Sequence, residues 1–234
     1  MAGWLFPICN AGFKTTLKWF SDLSIVGQDN LPKSGPLIVV SNHLSNLDPA
    51  IVAAALPEPP VFLAKNELFK FPFMSSFMRA YGAFPVNRRK ADLRAVNWLT
   101  RQLVSERRMA IVFPEGTRSK SEGLLQGQSG IARIALSTGV PIIPFALTGS
   151  ENLQSPFKVF KPTATLRLTI GASFVAIPSR TSSTNERASL VTTEIMIRIA
   201  RMLPEGYRGR YSDHCDIDFS ATADYSWSNR EESV

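Results

Sequence analysis

The chain has 234 residues, of which 44% are hydrophobic and 19% charged, so it can bury a substantial core in one large domain or two small ones. Its formal net charge is +7. Its two cysteines, Cys9 and Cys215, lie near opposite ends and outside any CxxC or Cys/His cluster. This argues against a disulfide framework or a zinc site and favours a reducing compartment.

The positive charge is concentrated before residue 211. Residues 211–234 contain one basic and six acidic residues, whereas residues 1–210 contain 25 basic and 13 acidic residues. Such an excess favours anionic partners, namely phosphate esters, nucleic acid or acidic lipid headgroups. Charge alone does not choose among these partners, and a basic surface is often simply solvated.

The first 20 residues predict an amphipathic helix. Its apolar stripe has helical spacing and consists of Cys9, Phe13, Leu17 and Phe20, with Lys14 and Lys18 off the stripe. The segment is too short and too interrupted to span a bilayer, which takes about 20 apolar residues. The helix is therefore either docked on the core or bound to a membrane surface, and the polar residues 21–33 form a linker.

The following residues predict strands that alternate with helices. Apolar runs indicate strands at 37–40, 61–64, 83–86, 109–113 and 141–147, and alternation indicates a half-exposed strand at 165–170. Helices are predicted at 49–56, 66–80, 91–108, 125–138 and 185–203. The aromatic-rich stripe within 66–80 is typical of core, although a pocket for an aliphatic tail would use the same residues.

This alternation predicts the class α/β, with a mostly parallel central sheet covered by helices on both faces. We expect a single domain over residues 34–210. It is preceded by the amphipathic helix and linker of residues 1–33 and followed by an acidic, disordered tail of residues 211–234.

A histidine follows the strand at 37–40. His43 therefore lies at the carboxyl end of a strand, the edge where open α/β sheets bind ligands, and its ordinary pKa of about 6.5 suits proton transfer. Asp48 can meet His43 only if residues 44–47 turn, which Ser45 and Asn46 favour. The same residues also fit a structural histidine beside a helix that starts with Asp48 as N-cap and Pro49 at its first position.

A second polar turn, PEGTRS at 114–119, follows the most apolar strand. The Arg118 guanidinium matches an oxyanion bidentately, and Thr117, Ser119 and the Gly116 backbone can add hydrogen bonds. Arg88, which follows the strand at 83–86, is a second candidate phosphate ligand, and its neighbours Arg89 and Lys90 could substitute for it. Taken singly, each arginine fits a surface position better than a site.

Together these motifs resemble the glycerolipid acyltransferases, the family that includes the 1-acylglycerol-3-phosphate acyltransferases. NHLSNLDP (42–49) looks like their NHxxxxD block, and ELFKFPFMSSFMRAYGAFPVNR (67–88) looks like the second block. VFPEGTRS (112–119) resembles the third and GVPIIPFAL (139–147) the fourth. The blocks occur in family order over about residues 35–150, and two of them at this spacing are highly specific.

The resemblance implies an acyltransferase of phospholipid biosynthesis. It would move a fatty acyl group from an acyl thioester to the free hydroxyl of 1-acylglycerol 3-phosphate, giving phosphatidate. His43 matches the catalytic base and Asp48 its partner. The positions associated with binding the glycerol phosphate are Arg88, Glu115, Gly116 and Arg118, with Thr117 beside them.

The resemblance also implies the partners. We expect no bound cofactor and no metal, and a coenzyme A or acyl carrier protein thioester as co-substrate. The lysophospholipid acceptor implies an anionic membrane surface, with the chain peripheral or monotopic at the cytoplasmic face. Nucleic acid is disfavoured because the cations are scattered and no recognised motif accompanies them.

Two alternative functions remain open at this point. The acyl acceptor could be another lysolipid or glycerol phosphate itself, and the chain could be a non-catalytic basic membrane-binding module. The intact His43 and Asp48 argue against such a module, because a binding module has no need of a base.

Overall fold

The computed structural model describes residues 5–87, 92–119, 123–179, 181–214 and 216–227. Its strands are β1 (Asp22–Val26), β2 (Leu37–Ser41), β3 (Val61–Lys65), β4 (Ala83–Val86), β5 (Met109–Val112), β6 (Ile142–Thr148), β7 (Thr165–Ile170), β8 (Phe174–Ala176) and β9 (Thr222–Asp224). Its α-helices are α1 (Phe6–Phe20), α2 (Asp48–Ala55), α3 (Pro72–Tyr81), α4 (Leu93–Val104), α5 (Gly130–Thr138) and α6 (Thr184–Met202).

The strands form one mixed sheet in the order β1-β7-β6-β2-β5-β3-β4. The run from β6 to β4 is parallel, β7 and β8 are antiparallel to β6, and β1 is parallel to β7. The predicted α/β class with a mostly parallel sheet is therefore confirmed. The carboxyl ends of β6, β2, β5, β3 and β4 meet at one edge, which we call the carboxyl edge.

Helices cover both faces of the sheet. Leu37 and Val39 of β2 pack into the hydrophobic cluster that includes α1 and α2, while Ile38 and Val40 pack into the cluster that includes α5 and α6. All four side chains are fully buried. A strand covered on both faces has no solvent side, which explains why β2 is an unbroken apolar run.

The N-terminal helix is present, and its apolar face is docked on the core. Phe6, Phe13 and Leu17 are buried, whereas Phe20 is 37% exposed. The predicted linker differs from the structure, because residues 22–26 form the edge strand β1, paired with β7. Its partly buried residues alternate with exposed ones over only five positions, too few for the pattern to stand out in the sequence.

Residues 211–227 also differ from the predicted disorder. Their described part contains the end of a 3-10 helix (Gly209–His214) and strand β9, which pairs antiparallel with β8. The buried carboxylate of Glu194 in α6 accepts hydrogen bonds from the backbone N–H groups of Ser220 and Ala221 and from the Thr222 hydroxyl. Acidic composition predicts a solvated tail, but residues 220–222 are held by a side chain that lies 26 to 28 positions earlier in the sequence.

Three predicted helices are shorter than expected, and one of them, predicted over 91–108, is α4 (Leu93–Val104). The one over 66–80 is divided into a 3-10 helix (Asn66–Phe69) and α3, because Phe71 precedes Pro72 and its backbone is extended (φ −95°, ψ 129°). The helix predicted from residue 125 begins at Gly130. Within the described residues, no helix is long and apolar enough to cross a bilayer.

Candidate active site

The turn after β2 is fixed by Asn42. Its side-chain amide donates to the carbonyl oxygen of Leu147, and its side-chain oxygen accepts from the Leu147 N–H, both at 2.8 Å. Leu147 lies in β6, the neighbouring parallel strand. The Asn42 amide thus replaces a backbone pairing at the point where β2 ends, and it sets the position from which His43 projects.

His43 and Asp48 form a hydrogen-bonded pair. Nδ1 of His43 lies 2.8 Å from Oδ2 of Asp48, and both side chains are buried. Asp48 is the first residue of α2 and Leu47 is its N-cap, so the interpretation of Asp48 as a helix N-cap is wrong. The intervening residues turn back, as the paired interpretation of the sequence requires.

The Asp48 carboxylate is saturated with donors. Oδ2 also accepts from the backbone N–H groups of Leu44 and Ser45, while Oδ1 accepts from the hydroxyls of Ser45 and Ser150. With four other donors on the carboxylate, His43 completes the set by donating through Nδ1–H. The opposite ring nitrogen, Nε2, is then an acceptor for a substrate proton.

The imidazole ring is also held in orientation by packing. The ring of Phe113, which follows β5, stacks on His43 with centroids 4.2 Å apart and an interplanar angle of 25°. Phe113 and Asp48 constrain the ring from its face and its edge. A ring fixed in this way keeps Nε2 aimed in one direction, which lowers the reorganisation needed for proton transfer.

The Glu115 carboxylate is hydrogen-bonded to the backbone of His43. Oε1 accepts from the backbone N–H of His43 at 2.8 Å, and Oε2 accepts from the N–H of Leu125 at 2.9 Å. Burial raises the pKa of Glu115 to about 7, the two backbone hydrogen bonds oppose that rise, and the Asp48 charge adds to it. Both oxygens accept from backbone groups, so Glu115 ties the His43 turn to Leu125, and its predicted place at the phosphate site stays a prediction.

The PEGTRS loop is joined to the His43 turn by a second bond. The Ser119 N–H donates to the His43 carbonyl oxygen at 2.8 Å. Gly116 has a φ of +69°, in the left-handed region that glycine adopts without strain. Glu115 and Ser119 thus clamp the backbone of His43 from both sides, and the two sequence motifs form one unit.

Arg118 is brought to the same unit through Gln154. The guanidinium donates to the Gln154 side-chain oxygen at 2.6 Å, and the Gln154 amide donates to the Leu44 carbonyl oxygen at 2.7 Å. Thr117 is exposed beside Arg118. Arg88, the other predicted phosphate ligand, lies outside the described residues, as do Arg89 and Lys90.

Sequence reasoning missed five side chains of this site: Asn42, Ser45, Phe113, Ser150 and Gln154. The sequence predicts only a turn at Ser45, although its place between His43 and Asp48 could have marked it as a hydrogen-bond donor to Asp48. Ser150 and Gln154 follow β6 at the carboxyl edge, where the fold brings them to residues more than 100 positions away. Among the described residues, no group of three or more His, Cys, Asp or Glu side chains could hold a metal ion.

Residues 22–148 match the family model described as Acyltransferase, which is more than half of the chain. The chain belongs to the acyltransferase family. The resemblance inferred from the sequence blocks is therefore confirmed. The match covers His43, Asp48 and the whole PEGTRS loop.

Curated relatives carry a more specific name, 1-acyl-sn-glycerol-3-phosphate acyltransferase. The protein of Borreliella burgdorferi is 31% identical over 155 residues, which are 63% of this chain and 60% of that protein. The Saccharomyces cerevisiae protein is 32% identical over 63% of this chain and 54% of its own length. The chain thus spans less than two thirds of these two relatives. The match to the Bacillus subtilis protein is 26% identical and covers 85% of this chain and 96% of that protein.

A solved structure shares the fold. The crystal structure of the 1-acyl-sn-glycerophosphate (LPA) acyltransferase PlsC from Thermotoga maritima superposes with a TM-score of 0.59 at 27% identity. The match covers 83% of this chain and 78% of that chain. The sheet and the flanking helices described above are thus found together in an experimental structure.

Proposed function

We propose that the protein transfers a fatty acyl group from an acyl thioester to the free hydroxyl of a 1-acylglycerol 3-phosphate, forming phosphatidate. The observation that carries this proposal is the buried His43–Asp48 pair at the carboxyl edge, linked through Gln154 to Arg118. This arrangement combines a base with an oriented tautomer and a guanidinium fork suited to a phosphate. The names of the relatives support the choice of acceptor.

The reaction follows from the orientation of the imidazole. Nε2 of His43 takes the proton of the acceptor hydroxyl while the hydroxyl oxygen attacks the thioester carbonyl carbon. The tetrahedral intermediate collapses, the carbon–sulfur bond breaks, and the imidazolium returns its proton to the leaving thiolate. Asp48 stabilises the imidazolium in between. The products are phosphatidate and a free thiol, without an acyl-enzyme.

The same proposal includes the donor and the surroundings. Coenzyme A or acyl carrier protein carries the acyl group, and the reaction takes place at an anionic membrane surface on the cytoplasmic side, with the chain bound peripherally or monotopically. Arg118 binds the acceptor phosphate, together with Arg88 as the sequence predicts. The basic excess of residues 1–210 and the amphiphilic nature of acceptor and product support this location.

A direct assay tests the reaction. The purified chain is incubated with labelled acyl-coenzyme A or acyl carrier protein and with lysophosphatidate, lysophosphatidylcholine, glycerol 3-phosphate or monoacylglycerol, and the products are separated by lipid class. We expect labelled phosphatidate from lysophosphatidate, and none with His43→Gln. Preferential labelling of another acceptor, or equal transfer by His43→Gln, would contradict the proposal.

A further inference from the structure

Six exposed aromatic side chains lie toward the carboxyl edge of the sheet. They range from 37% exposed for Phe20 to 84% for Phe73, and the set, which we call the aromatic rim, consists of Trp19, Phe20, Phe71, Phe73, Phe157 and Phe160. Single exposed apolar residues are ordinary on protein surfaces, whereas a cluster of large aromatic ones marks an interaction surface.

The topology brings the rim together from three distant segments. β3 ends at the carboxyl edge and continues directly into residues 66–73, and the segment that follows β6 leaves from the same edge and contains residues 156–160. β1 runs antiparallel to β6, so the end of α1 that precedes it also lies there. His43 follows β2 at this edge, between β6 and β5.

Direct contacts join two of the three segments to each other and to the site. The Thr16 hydroxyl in α1 donates to the Val159 carbonyl oxygen at 2.8 Å, and the Lys161 ammonium lies 5.7 Å from the centre of the Phe20 ring. Residues 156–160 begin two positions after Gln154, which contacts both Arg118 and the His43 turn. The part of the rim in residues 156–160 is therefore adjacent to the candidate active site, and α1 contacts that part.

The charges around the rim have one dominant sign. Segments 17–20, 65–74 and 155–161 contain one acidic residue, Glu67, and five exposed lysines, which are Lys18, Lys65, Lys70, Lys158 and Lys161. Aromatic and lysine side chains alternate closely, as in KWF, FKF and FKVFK. Aromatic rings prefer the headgroup level of a bilayer, and neighbouring lysines are attracted to anionic lipid phosphates.

We propose that the aromatic rim docks the carboxyl edge of the sheet onto an anionic lipid surface. The rings lie at headgroup level, the lysines contact lipid phosphates, and His43 faces the membrane from which an amphiphilic acceptor enters. This inference rests on the proposed function and deepens it, because it names the surface and the orientation. The aromatic rim then takes the place of the apolar stripe of α1 as the lipid-binding element. Phe13 and Leu17 of that stripe are buried, and only its last residue, Phe20, belongs to the rim.

Vesicle sedimentation of the full chain tests the rim. The rim variants are Phe71→Ala with Phe73→Ala and Phe157→Ala with Phe160→Ala. We expect each pair to weaken partitioning onto mixed phosphatidylcholine and phosphatidylglycerol vesicles by about tenfold. Ile8→Ala with Val104→Ala, also exposed but at the opposite edge of the sheet, is the matched control and should bind like wild type.

The contribution of the rim lysines and the depth at which Trp19 enters the lipid are measured separately. Lys158→Glu with Lys161→Glu should weaken binding to the mixed vesicles much more than to phosphatidylcholine alone. Lipids with brominated acyl chains should quench the tryptophan fluorescence of the bound chain, and Trp19→Phe should remove most of that quenching. A bound chain whose Trp19 is not quenched would place this end of α1 away from the lipid and overturn the proposal.

Activity separates this proposal from the reaction itself. With a short-chain acceptor and donor dissolved as monomers, the rim variants should turn over like wild type, and with vesicle-borne acceptor they should be slower. Wild-type chain that binds vesicles through the rim but transfers no acyl group would contradict the proposed function alone. Rim variants that bind vesicles normally would overturn the docking proposal, and a simultaneous change in their self-association would assign the rim to contacts between copies.

Discussion

At the scale of single residues, the hydrogen-bond donors around Asp48 predict different effects for substitutions of His43 and of Asp48. His43→Gln removes the proposed base, so we expect no detectable transfer and a melting temperature close to wild type. Asp48→Asn presents a donor where five hydrogen bonds are now accepted, which disfavours the productive tautomer. We expect kcat to fall by roughly 10³–10⁴-fold with KM little changed. Steady-state kinetics and thermal melts of both variants check this, and wild-type turnover by either variant would contradict the pair as base and orienter.

Glu115 should couple stability to pH. Its folded pKa of about 7 lies above the value of 4.5 for an unperturbed carboxyl group. The folded state therefore holds this proton more tightly, and the contribution to stability is present below pH 4.5 and is lost as the pH rises through 7. We expect this group to lower the free energy of unfolding by at most about 1.4 kcal/mol per pH unit across that window.

Denaturant titrations of wild type and Glu115→Gln isolate this contribution. Glutamine does not titrate, so the difference in unfolding free energy between the two proteins should shift in favour of the variant as the pH rises. The variant also keeps only one acceptor oxygen for the two N–H groups of His43 and Leu125, so its stability at low pH should be reduced. A difference that is constant from pH 4.5 to 7 would remove Glu115 as the titrating group.

Under the proposed function, Gln154 should control how strongly Arg118 binds the acceptor phosphate. Gln154→Glu places a carboxylate against the guanidinium, where it competes with the substrate, so the acceptor KM should rise by about tenfold or more. Gln154→Ala removes only the orienting hydrogen bonds and should have a smaller effect. Arg118→Ala should raise the acceptor KM, and Arg118→Lys should rescue it only in part because lysine lacks the planar fork.

The acyl donor and a phosphate-free acceptor serve as controls for these variants. The donor KM should stay near wild type throughout, and monoacylglycerol should react equally with wild type and Gln154→Glu. If the variants instead raise the donor KM and leave acceptor kinetics intact, Arg118 belongs to the donor site.

At the scale of elements, the C-terminal segment depends on one carboxylate of α6. Glu194 is buried and accepts hydrogen bonds from three consecutive residues, Ser220, Ala221 and Thr222. Glu194→Ala leaves buried N–H groups without their acceptor, which costs about 1–3 kcal/mol for each unsatisfied group. We expect β9 to detach from β8.

Amide hydrogen exchange measures this directly. Residues 220–224 should lose protection in Glu194→Ala, while β2 and β6 keep theirs. Glu186→Ala, a change at the exposed first turn of the same helix, is the control and should leave the exchange of β9 unaltered. Unchanged protection of residues 220–224 in Glu194→Ala would show that the pairing with β8 and the contacts of Arg198 with Thr222 and Asp224 hold β9 without Glu194.

At the scale of the whole molecule, α1 belongs to the fold. Its residues Phe6, Phe13 and Leu17 are at most 4% exposed and pack with α2 and the sheet. Each such side chain contributes about 1.5–3 kcal/mol, and native domains are stable by only about 5–15 kcal/mol. We therefore expect removal of residues 1–20 to abolish cooperative unfolding, as measured by calorimetry.

Point changes on the exposed side of α1 provide the contrast. Ile8→Ser alters a residue that is 66% exposed and should leave the melting transition in place. A truncated chain that melts cooperatively near the wild-type temperature would show that α1 is a separate attachment. Loss of vesicle binding by a truncated chain therefore says little about lipid contact, and the point variants of the aromatic rim are the better test.

The sequence by itself determined the class of fold, the family and the pairing of His43 with Asp48. Buried parallel strands must be apolar on both faces, so β2, β5 and β6 are recognisable as runs, and the polar residues that follow them mark the carboxyl edge. His43 and Asp48 are five residues apart, and a local turn is sufficient to join them.

Only the tertiary structure decided the contacts of the other residues of the site, because their partners are distant in sequence. Ser150 and Gln154 reach the His43 turn across more than 100 residues, and Glu115 reaches the backbone of His43 across 72. Composition also failed to predict burial elsewhere: residues 220–222 of the acidic tail are held by Glu194, and several aromatic residues of 66–80 are exposed. Burial and hydrogen-bond satisfaction depend on what lies opposite a residue in space, and the linear pattern does not contain that information.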